Sequence, residues 1–595
     1  MRTDKASKNK IIIHTDDLGL SFGFNEAILA AALEGNITST CVRVNGAAYQ
    51  DALKRVKPQL LKLGVGIGLH LNVVEGTSRR NVDFSRSLLC DSQGAFTKGF
   101  LGLLVNSWRE KFLREIEEEF RSQIETYIRD FGKPDHFNSH QHSHAIPALF
   151  TLVCKLAKEY DVGFVRNPDE IIYWPSPLTQ HFSRKLPVNF IKQIVLKICS
   201  KFNKSQLKSS SVRSNDHFIG VLFTGTMSIS ALSKGLEVIQ KKNTKGKLIE
   251  VLFHPVKIIG SQQEVYIDRS VRDYIIDMDR EKELSTLIEI DMNNFARSFG
   301  CELVNYSRCK KMNSPRSFTS TKSHKTKPKE DNYSKLRVHV IIDETPFFHP
   351  RYLDWIVRES KHAIITGITI VELPNGGKLQ QYLVKNWRNL GLTSFGVIAL
   401  RSLIQRINAQ AFRHFGFRTY GSVKEIAKKN QIPFVCVNSI SMPEYFTFLK
   451  STDPDLILSS NSLYLPENIL ELPKRGCINR HSSLLPSYGG VLPIFYALSQ
   501  NENVVGVTVH KMVSEIDEGE ILVQKCLPVY RKDTVFSLYK LCFELSAVAT
   551  EEAFFAIRTG AKLHKRNFIK TKKSYNSFPD DKDWMRFNES GHHFS

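Results

Sequence analysis

Apolar and polar positions alternate along this chain in short strand-like and longer helix-like blocks. In the first half, Ile11–Ile13 is a buried-strand run that stops at Asp16-Asp17, followed by a helical stretch over Phe24–Leu33 and a second strand over Gly64–Leu71. An amphipathic helix rich in Glu and Arg is predicted over Trp108–Phe131, and a late strand over Leu248–Phe253. In the second half, strands are predicted at Val338–Ile342, Pro433–Val437, Asp455–Ser459, Cys477–Asn479 and Val504–His510, with helices at Val423–Lys429 and Pro443–Lys450. Repeated strand–helix alternation predicts parallel α/β architecture in both halves, with ligands at the carboxyl ends of strands.

Between the halves the pattern lapses. Residues 308–337 hold almost nothing apolar, with ten basic side chains against two acidic ones (Glu330 and Asp331). Such a segment cannot bury a core and reads as a solvated linker. The expected organisation is a domain over 1–307, a basic flexible linker over 308–337 and a domain over 338–595, each long enough for its own core.

Composition narrows the picture. The 595 residues are 42% hydrophobic and 24% charged, which excludes a collagen-like or wholly disordered chain. No run of ~18 uncharged apolar residues predicts a membrane span. The polar start MRTDKASKNK does not read as a secretory signal, and the ten cysteines form no CxxC pair; both lead to an expectation of a cytoplasmic protein with reduced thiols. The net charge of +22 favours anionic partners without choosing among phosphorylated ligands, nucleic acid and a membrane surface.

Four polar clusters end apolar runs in the first half. They are His14-Thr15-Asp16-Asp17, Gly68-Leu69-His70-Leu71-Asn72, Asp135 to His144, and Glu250 to Pro255. His136, His140, His142 and His144 share one parity, so an extended backbone would aim them to one face. Carboxylates with imidazoles suit Zn²⁺, Mg²⁺ or a similar divalent cation, and adjacent aspartates allow one to hold metal while the other takes a proton from water.

The strings HTDDLGLSFGFNEAI, ITSTCVRVNG, GIGLHLN, PDHFNSHQHSHAIP and EVLFHP resemble the YdjC-like carbohydrate deacetylases, from about Ile11 to Leu303. The resemblance implies a distorted (β/α) barrel and metal-dependent removal of acetyl groups from N-acetylated sugars. Carried over by motif, Asp17, His70 and His140 would be the metal ligands, Asp16 the general base and His254 the acid that protonates the leaving amine. Asn138 stands where the family often has Asp.

In the second half, Asn479 and His481 have one strand parity, with Asp517 following a later strand. An amide, an imidazole and a carboxylate suit acyl transfer to an amine: donor to the oxyanion, base for the amine proton, and partner for the base. The string INRHSSLLPSYGGVLPIFYAL with GVTVHKMVSEIDEGEIL resembles the formyltransferases that use 10-formyltetrahydrofolate, over about Leu336 to Phe578. The resemblance implies a Rossmann-like fold, catalytic roles for Asn479, His481 and Asp517, and folate contacts from Ser483, Leu484, Leu485 and Pro486. Pro493 with Phe495-Tyr496 looks like the tRNA and sugar branches, and KKSYNSFPDDKDWMRF is similar to the tail of sugar formyltransferases. The 78 residues after Asp517 leave no room for a further ~100-residue RNA-binding module, so nucleic acid is disfavoured as a partner.

One half would free an amine and the other needs one. The expectation is a bifunctional enzyme that exchanges N-acetyl for N-formyl on an amino sugar, nucleotide- or lipid-linked, with two uncoupled enzymes or a basic non-catalytic scaffold as alternatives. The Phe190–Lys208 helix carries an apolar stripe of Ile191, Ile194, Val195, Ile198 and Phe202 flanked by lysines, as a packed lid helix or a membrane-surface helix would.

Overall fold

The computed structural model describes residues 8–176, 185–242, 246–310, 334–372, 422–561 and 572–595, apart from 262, 263, 265, 267, 346, 441, 442 and 462, together with a few single positions between 381 and 407. Most of the basic linker, 311–333, lies outside the described residues. The chain divides into two compact units, Met1–Ile258 with Glu264–Ser323, and Ile259–Gln263 with His324–Ser595.

The first unit is built on a parallel sheet of β1 (Asn9–Leu18), β2 (Ser39–Val42), β3 (Gly66–Leu71), β4 (Phe137–Ser139), β5 (His217–Ile219), β6 (Leu248–Phe253) and β7 (Cys301–Leu303). The order is β4-β3-β2-β1-β6-β5, with β7 on β1, giving a half-barrel. Single bridges Phe137↔Val165 and Glu170↔Phe218 reach from the segment between them to both outer strands, so the ring is completed by isolated bridges rather than ladders. This is the distorted barrel that the resemblance implied. Its strands are buried on both faces because helices cover the outside; α1 (Phe22–Leu33) starts where the Ser21 hydroxyl accepts from Phe24 N–H. The helices α2 (Phe100–Asn106), α3 (Glu110–Phe131) and α4 (Leu186–Ser209) follow in the chain.

β1 extends past its predicted end. Asp16 and Asp17 lie inside it, and the register against β2 shifts between Thr15 and Leu18. Asp17 has φ 70°, so this irregularity breaks the alternation that would send neighbouring side chains to opposite faces. The expected row of histidines is not extended. His140–Ala145 forms a tight turn with left-handed Gln141 and His142. His136 instead stacks on Tyr306, 4.2 Å between ring centroids, and fits only because a side chain on Gly68 would come within 2.2 Å of its ring.

The second unit holds β8 (Leu336–Asp343), β9 (Ala363–Val371), β10 (Phe434–Val437), β11 (Leu456–Ser460), β12 (Cys477–His481), the two-residue β13 (Gly489–Gly490), β14 (Val504–Lys511), β15 (Ile521–Pro528) and the short β16 (Tyr575–Asn576). The main sheet runs β10-β9-β8-β11-β12-β14-β15. It is parallel and Rossmann-like from β10 to β12, but β14 is antiparallel to both β12 and β15, correcting the all-parallel expectation. Residue periodicity reports which face is buried and is blind to strand direction. The long helix α5 (Val535–Thr559), capped by Thr534 and Ser537, packs on β14 and β15.

Candidate active sites

The irregular end of β1 places Asp16 and Asp17 on the two nitrogens of His70, which projects from β3. His70 Nε2 lies 3.5 Å from Asp17 Oδ1, and Nδ1 lies 3.9 Å from Asp16 Oδ1. His140, entering from the turn after β4, puts Nδ1 3.4 Å from the same Asp17 oxygen. One donor atom from each of Asp17, His70 and His140 lies within 4.8 Å of the others, and all three residues are buried. Asp17 Oδ1 and His70 Nε2 have no hydrogen-bond partner, and the His140 nitrogen on their side is Nδ1, its Nε2 being turned to Glu75. Buried, unsatisfied, electron-rich atoms converging on one point are what a cation site requires, so the donor set fits a divalent ion.

Neighbours hold these donors in place. His70 Nδ1 is 2.8 Å from Asn138 Oδ1, while Asn138 Nδ2 donates to Asp16 Oδ1 at 3.0 Å. The amide thus serves as acceptor for one residue and donor for the other, which an ionised Asp at this position could not do. His70 donating from Nδ1 leaves the Nε2 lone pair facing Asp17. His140 Nε2 lies 3.1 Å from Glu75 Oε2. Arg43, fully buried, reaches Asp17 at 3.7 Å and Glu75 at 3.5 Å.

Asp16 is the most tightly held carboxylate. Arg166 donates to both its oxygens at 2.9 Å and to Glu250 at 2.8 Å. Burial by itself would raise the Asp16 pKa, but Arg166, His70 and His14 keep the carboxyl well below the usual range. Asp17 is likewise lowered, with burial opposed by His140, His70 and Arg43. Cys41 Sγ sits 3.1 Å from Asp16 Oδ1, and burial pushes its thiol well up. His14, Asp16 and Cys41 form a second close group, but Arg166 and Asn138 already occupy the Asp16 oxygens, so it is a hydrogen-bonded cluster. His254, directly after β6, brings Nε2 to 3.8 Å from Asp16 Oδ2, and burial pushes it down to about 3. His136, His142 and His144 stay out of the group: His136 bonds Asp135, His142 stands edge-on to Phe218, and His144 lies 2.9 Å from the Arg166 carbonyl.

The second site is built on a strand pair. Asn479 and His481 lie on β12, and antiparallel pairing sets Asn479 opposite His510 of β14. Asn479 Nδ2 is 3.3 Å from His510 Nε2. Asp517, with φ 59°, turns its carboxylate back between two imidazoles, 3.7 Å from His481 Nδ1 and 3.6 Å from His510 Nε2. Gly490 N–H donates to Asp517 Oδ2 at 2.9 Å; Gly490 has φ 87°, and a side chain there would meet the Asn576 carbonyl at 2.2 Å. His481 Nε2 is 2.9 Å from the Tyr488 carbonyl, so it carries the proton and leaves Nδ1 basic, facing Asp517. Burial lowers the His481 pKa, partly offset by Asp517. Asp517 is lowered, with burial opposed by His481 and His510.

The loop after β12 is fixed from within. Thr508 Oγ1 donates to the Ser483 carbonyl at 2.7 Å and accepts from Leu485 N–H at 3.1 Å, and Gln524 donates to the Leu485 carbonyl at 3.0 Å. Leu484 and Leu485 bury their side chains and Ser483 its hydroxyl, whereas Pro486 is exposed.

The residues expected from sequence therefore assemble in two groups, Asp16, Asp17, His70, His140 and His254 in one, and Asn479, His481 and Asp517 in the other. Sequence reasoning missed Arg43, Glu75 and Arg166 in the first and gave His510 no role in the second. Glu75 and His510 stood within a few residues of clusters already singled out, whereas Arg166 stands apart from them and carried no such signal.

Residues 10–298 match the family described as YdjC-like protein, and residues 418–550 match the family described as formyl transferase. The chain thus joins two regions that match different family models. Among curated relatives, the methionyl-tRNA formyltransferase of Thermotoga maritima is 41% identical over 139 residues, 23% of this chain and 44% of that protein. The bifunctional polymyxin resistance protein ArnA of Wigglesworthia glossinidia brevipalpis is 40% identical over 126 residues, 21% of this chain and 19% of that protein. The chain spans less than half the length of these relatives. Among solved structures, a protein described as a cellobiose-phosphate cleavage protein from Enterococcus faecalis is 20% identical, with 51% of this chain and 99% of that chain covered and a TM-score of 0.38.

Proposed function

We propose that the chain is a bifunctional enzyme: residues 1–307 hydrolyse the amide of an N-acetyl amino sugar, and residues 338–595 transfer a formyl group from 10-formyltetrahydrofolate to the freed amine, with 308–337 as tether. The observation that carries this reading is the convergence of Asp17, His70 and His140, with Asp17 Oδ1 and His70 Nε2 buried and unsatisfied, in a chain that also groups Asn479, His481 and Asp517. One group suits breaking an amide at nitrogen, the other making one.

In the first site Asp17, His70 and His140 would hold a divalent cation, Mg²⁺ or Zn²⁺, which when bound supplies Lewis acidity toward the amide carbonyl and acidifies water. Asp16, fixed by Arg166 and Asn138, takes a proton from the attacking water. His254 is neutral at rest and 3.8 Å from Asp16. It can therefore receive that proton and pass it to the departing amine, without which the amine is a poor leaving group.

In the second site the folate donor supplies an activated formyl carbon. Asn479 Nδ2 has two hydrogens; with one toward His510, the other is free to stabilise the oxyanion. His481 Nδ1 takes the amine proton, and Asp517 stabilises the resulting imidazolium. With the Leu484 and Leu485 side chains buried, folate contacts from Ser483, Leu484 and Leu485 would come through the loop main chain, and those from Pro486 through its exposed ring. The acceptor is nucleotide- or lipid-linked, consistent with the basic charge of the chain.

The test is mass spectrometry of N-acetylhexosamine conjugates incubated with the full chain, a divalent cation and the formyl donor. The expected product has lost one CH₂ relative to substrate, and omitting the donor leaves the free amine. Neither product across a wide sugar panel overturns the reading. A second reading, favoured by the similarity to methionyl-tRNA formyltransferases, uncouples the sites, the second formylating an aminoacyl-tRNA. Under that reading His481→Ala leaves the fate of the deacetylated sugar unchanged.

A further inference from the structure

The helix α4 leaves an apolar face uncovered. Its buried face mixes Leu186, Leu196 and Cys199 with Gln193, Ser200 and Asn203, and the Gln193 amide, the Ser200 hydroxyl and Asn203 Oδ1 have no hydrogen-bond partner. A second set of apolar residues points outward: Val188 is 67% exposed, Ile191 63%, Ile198 53% and Phe202 62%, with Ile194 also exposed. At 100° per residue these five fall within an arc of about 120°, running about 21 Å along the axis. The neighbouring α2 and the residues just after it add exposed Leu101, Val105 and Trp108. Phe100 of α2 packs on the same buried cluster as Leu196 of α4, so both helices are seated on one stretch of core.

The charge on α4 is one-sided. It carries five lysines and no acidic residue. Lys197, Lys201, Lys204 and Lys208 line one edge of the apolar arc. Lys204 pairs with Asp169 and Lys197 donates to the Glu170 carbonyl, leaving Lys201 and Lys208 as exposed cations of that edge. Asn203 on the inward side donates to the Ala145 carbonyl at 2.9 Å, in the turn that carries His140, so the helix adjoins the hydrolytic site.

We infer that α4, with the exposed residues of and beside α2, docks on an anionic lipid bilayer, so that the hydrolytic site meets an amino sugar carried by a membrane lipid. The lipid-linked substrate rests on the function proposed above; the docking surface rests on the exposed arc and its lysine edge. Contiguous exposed apolar side chains of this extent mark an interaction surface, and Trp and Phe beside lysines suit the interfacial zone of a bilayer. A second copy of the chain fits less well. Two such helices facing one another bring lysine edges together with no acid on either to offset them, whereas anionic headgroups neutralise both.

The test is co-sedimentation of the full chain with phosphatidylcholine vesicles, with and without phosphatidylglycerol. The expected result is binding that requires the anionic lipid and weakens as salt rises. Ile198→Gln with Phe202→Gln should lower the bound fraction by about tenfold, and Lys201→Glu with Lys208→Glu should abolish the preference for anionic vesicles. No binding, or binding indifferent to both double variants, overturns the inference. So does self-association that the Ile198→Gln, Phe202→Gln variant abolishes without vesicle binding, which would assign the face to a second copy. Asp17→Asn, expected to lose deacetylation and keep vesicle binding, separates failure of the docking surface from failure of the hydrolytic reading.

Discussion

In the first unit the grouped side chains come from positions 14 to 254 and from five strands or the turns after them; in the second, the reacting trio spans only 479 to 517 and one strand pair with its turn. The first group is charge-dense and sealed, with Asp16, Asp17, Arg43 and Arg166 all within 2% exposure. The second has one carboxylate between two imidazoles and a partly exposed Asn479. A buried assembly of opposite charges depends on every member, because removing one strands another without solvent. A strand-pair site depends chiefly on its local pairing. The comparison teaches that the two chemistries should fail differently.

The widest separation should come from metal. Chelation, or Asp17→Ala, should reduce deacetylation by on the order of 10³-fold or more, read as free amine released, with formyl transfer unchanged. Loss of both activities would show that the units are not chemically independent. His481→Ala should do the reverse, lowering formyl transfer by about 10²–10⁴-fold while amine release continues. Arg166→Met leaves the buried Asp16 carboxylate without its main partner and should destabilise the first unit by about 3–5 kcal/mol, seen as a lower first transition in thermal unfolding. Glu75→Gln should be milder: weakening the support of His140 predicts a loss of cation affinity of about 10–100-fold, measured by titration calorimetry.

The smallest expected effect is in the pH profile of formyl transfer. His481 must be neutral to act as base, and burial holds it below the ordinary imidazole value. Activity should therefore rise with pH through a value under about 6.5 and be level by neutrality. Asp517 opposes that lowering, so Asp517→Asn should move the acid limb further down while reducing the plateau. An acid limb that moves up would remove Asp517 as the partner of His481.

Much of this was legible in the chain itself. The strands Leu248–Phe253 and Val504–His510 and the helix Val423–Lys429 matched their predicted spans or nearly so, because burial of alternating or helically spaced residues is a local property. The clusters holding Asp17, His70 and His140, and Asn479 with His481, stood out because each ends or follows an apolar run, while the choice of these residues within them came from the motifs that resemble the two families. Their local sequence fixed the residue types and the faces available to them. It did not fix that Asp16 and Asp17 would share His70, since that needed the irregularity at φ 70°; nor that the histidines after His136 would curl into a turn; nor the direction of β14. Arg43, Glu75 and Arg166 became part of the first site only through contacts across 26 to 150 positions. Which buried charge neutralises which, and which face of α4 is left outward, follow from long-range packing, where the cost of an unpaired group in a dry interior outweighs any local preference.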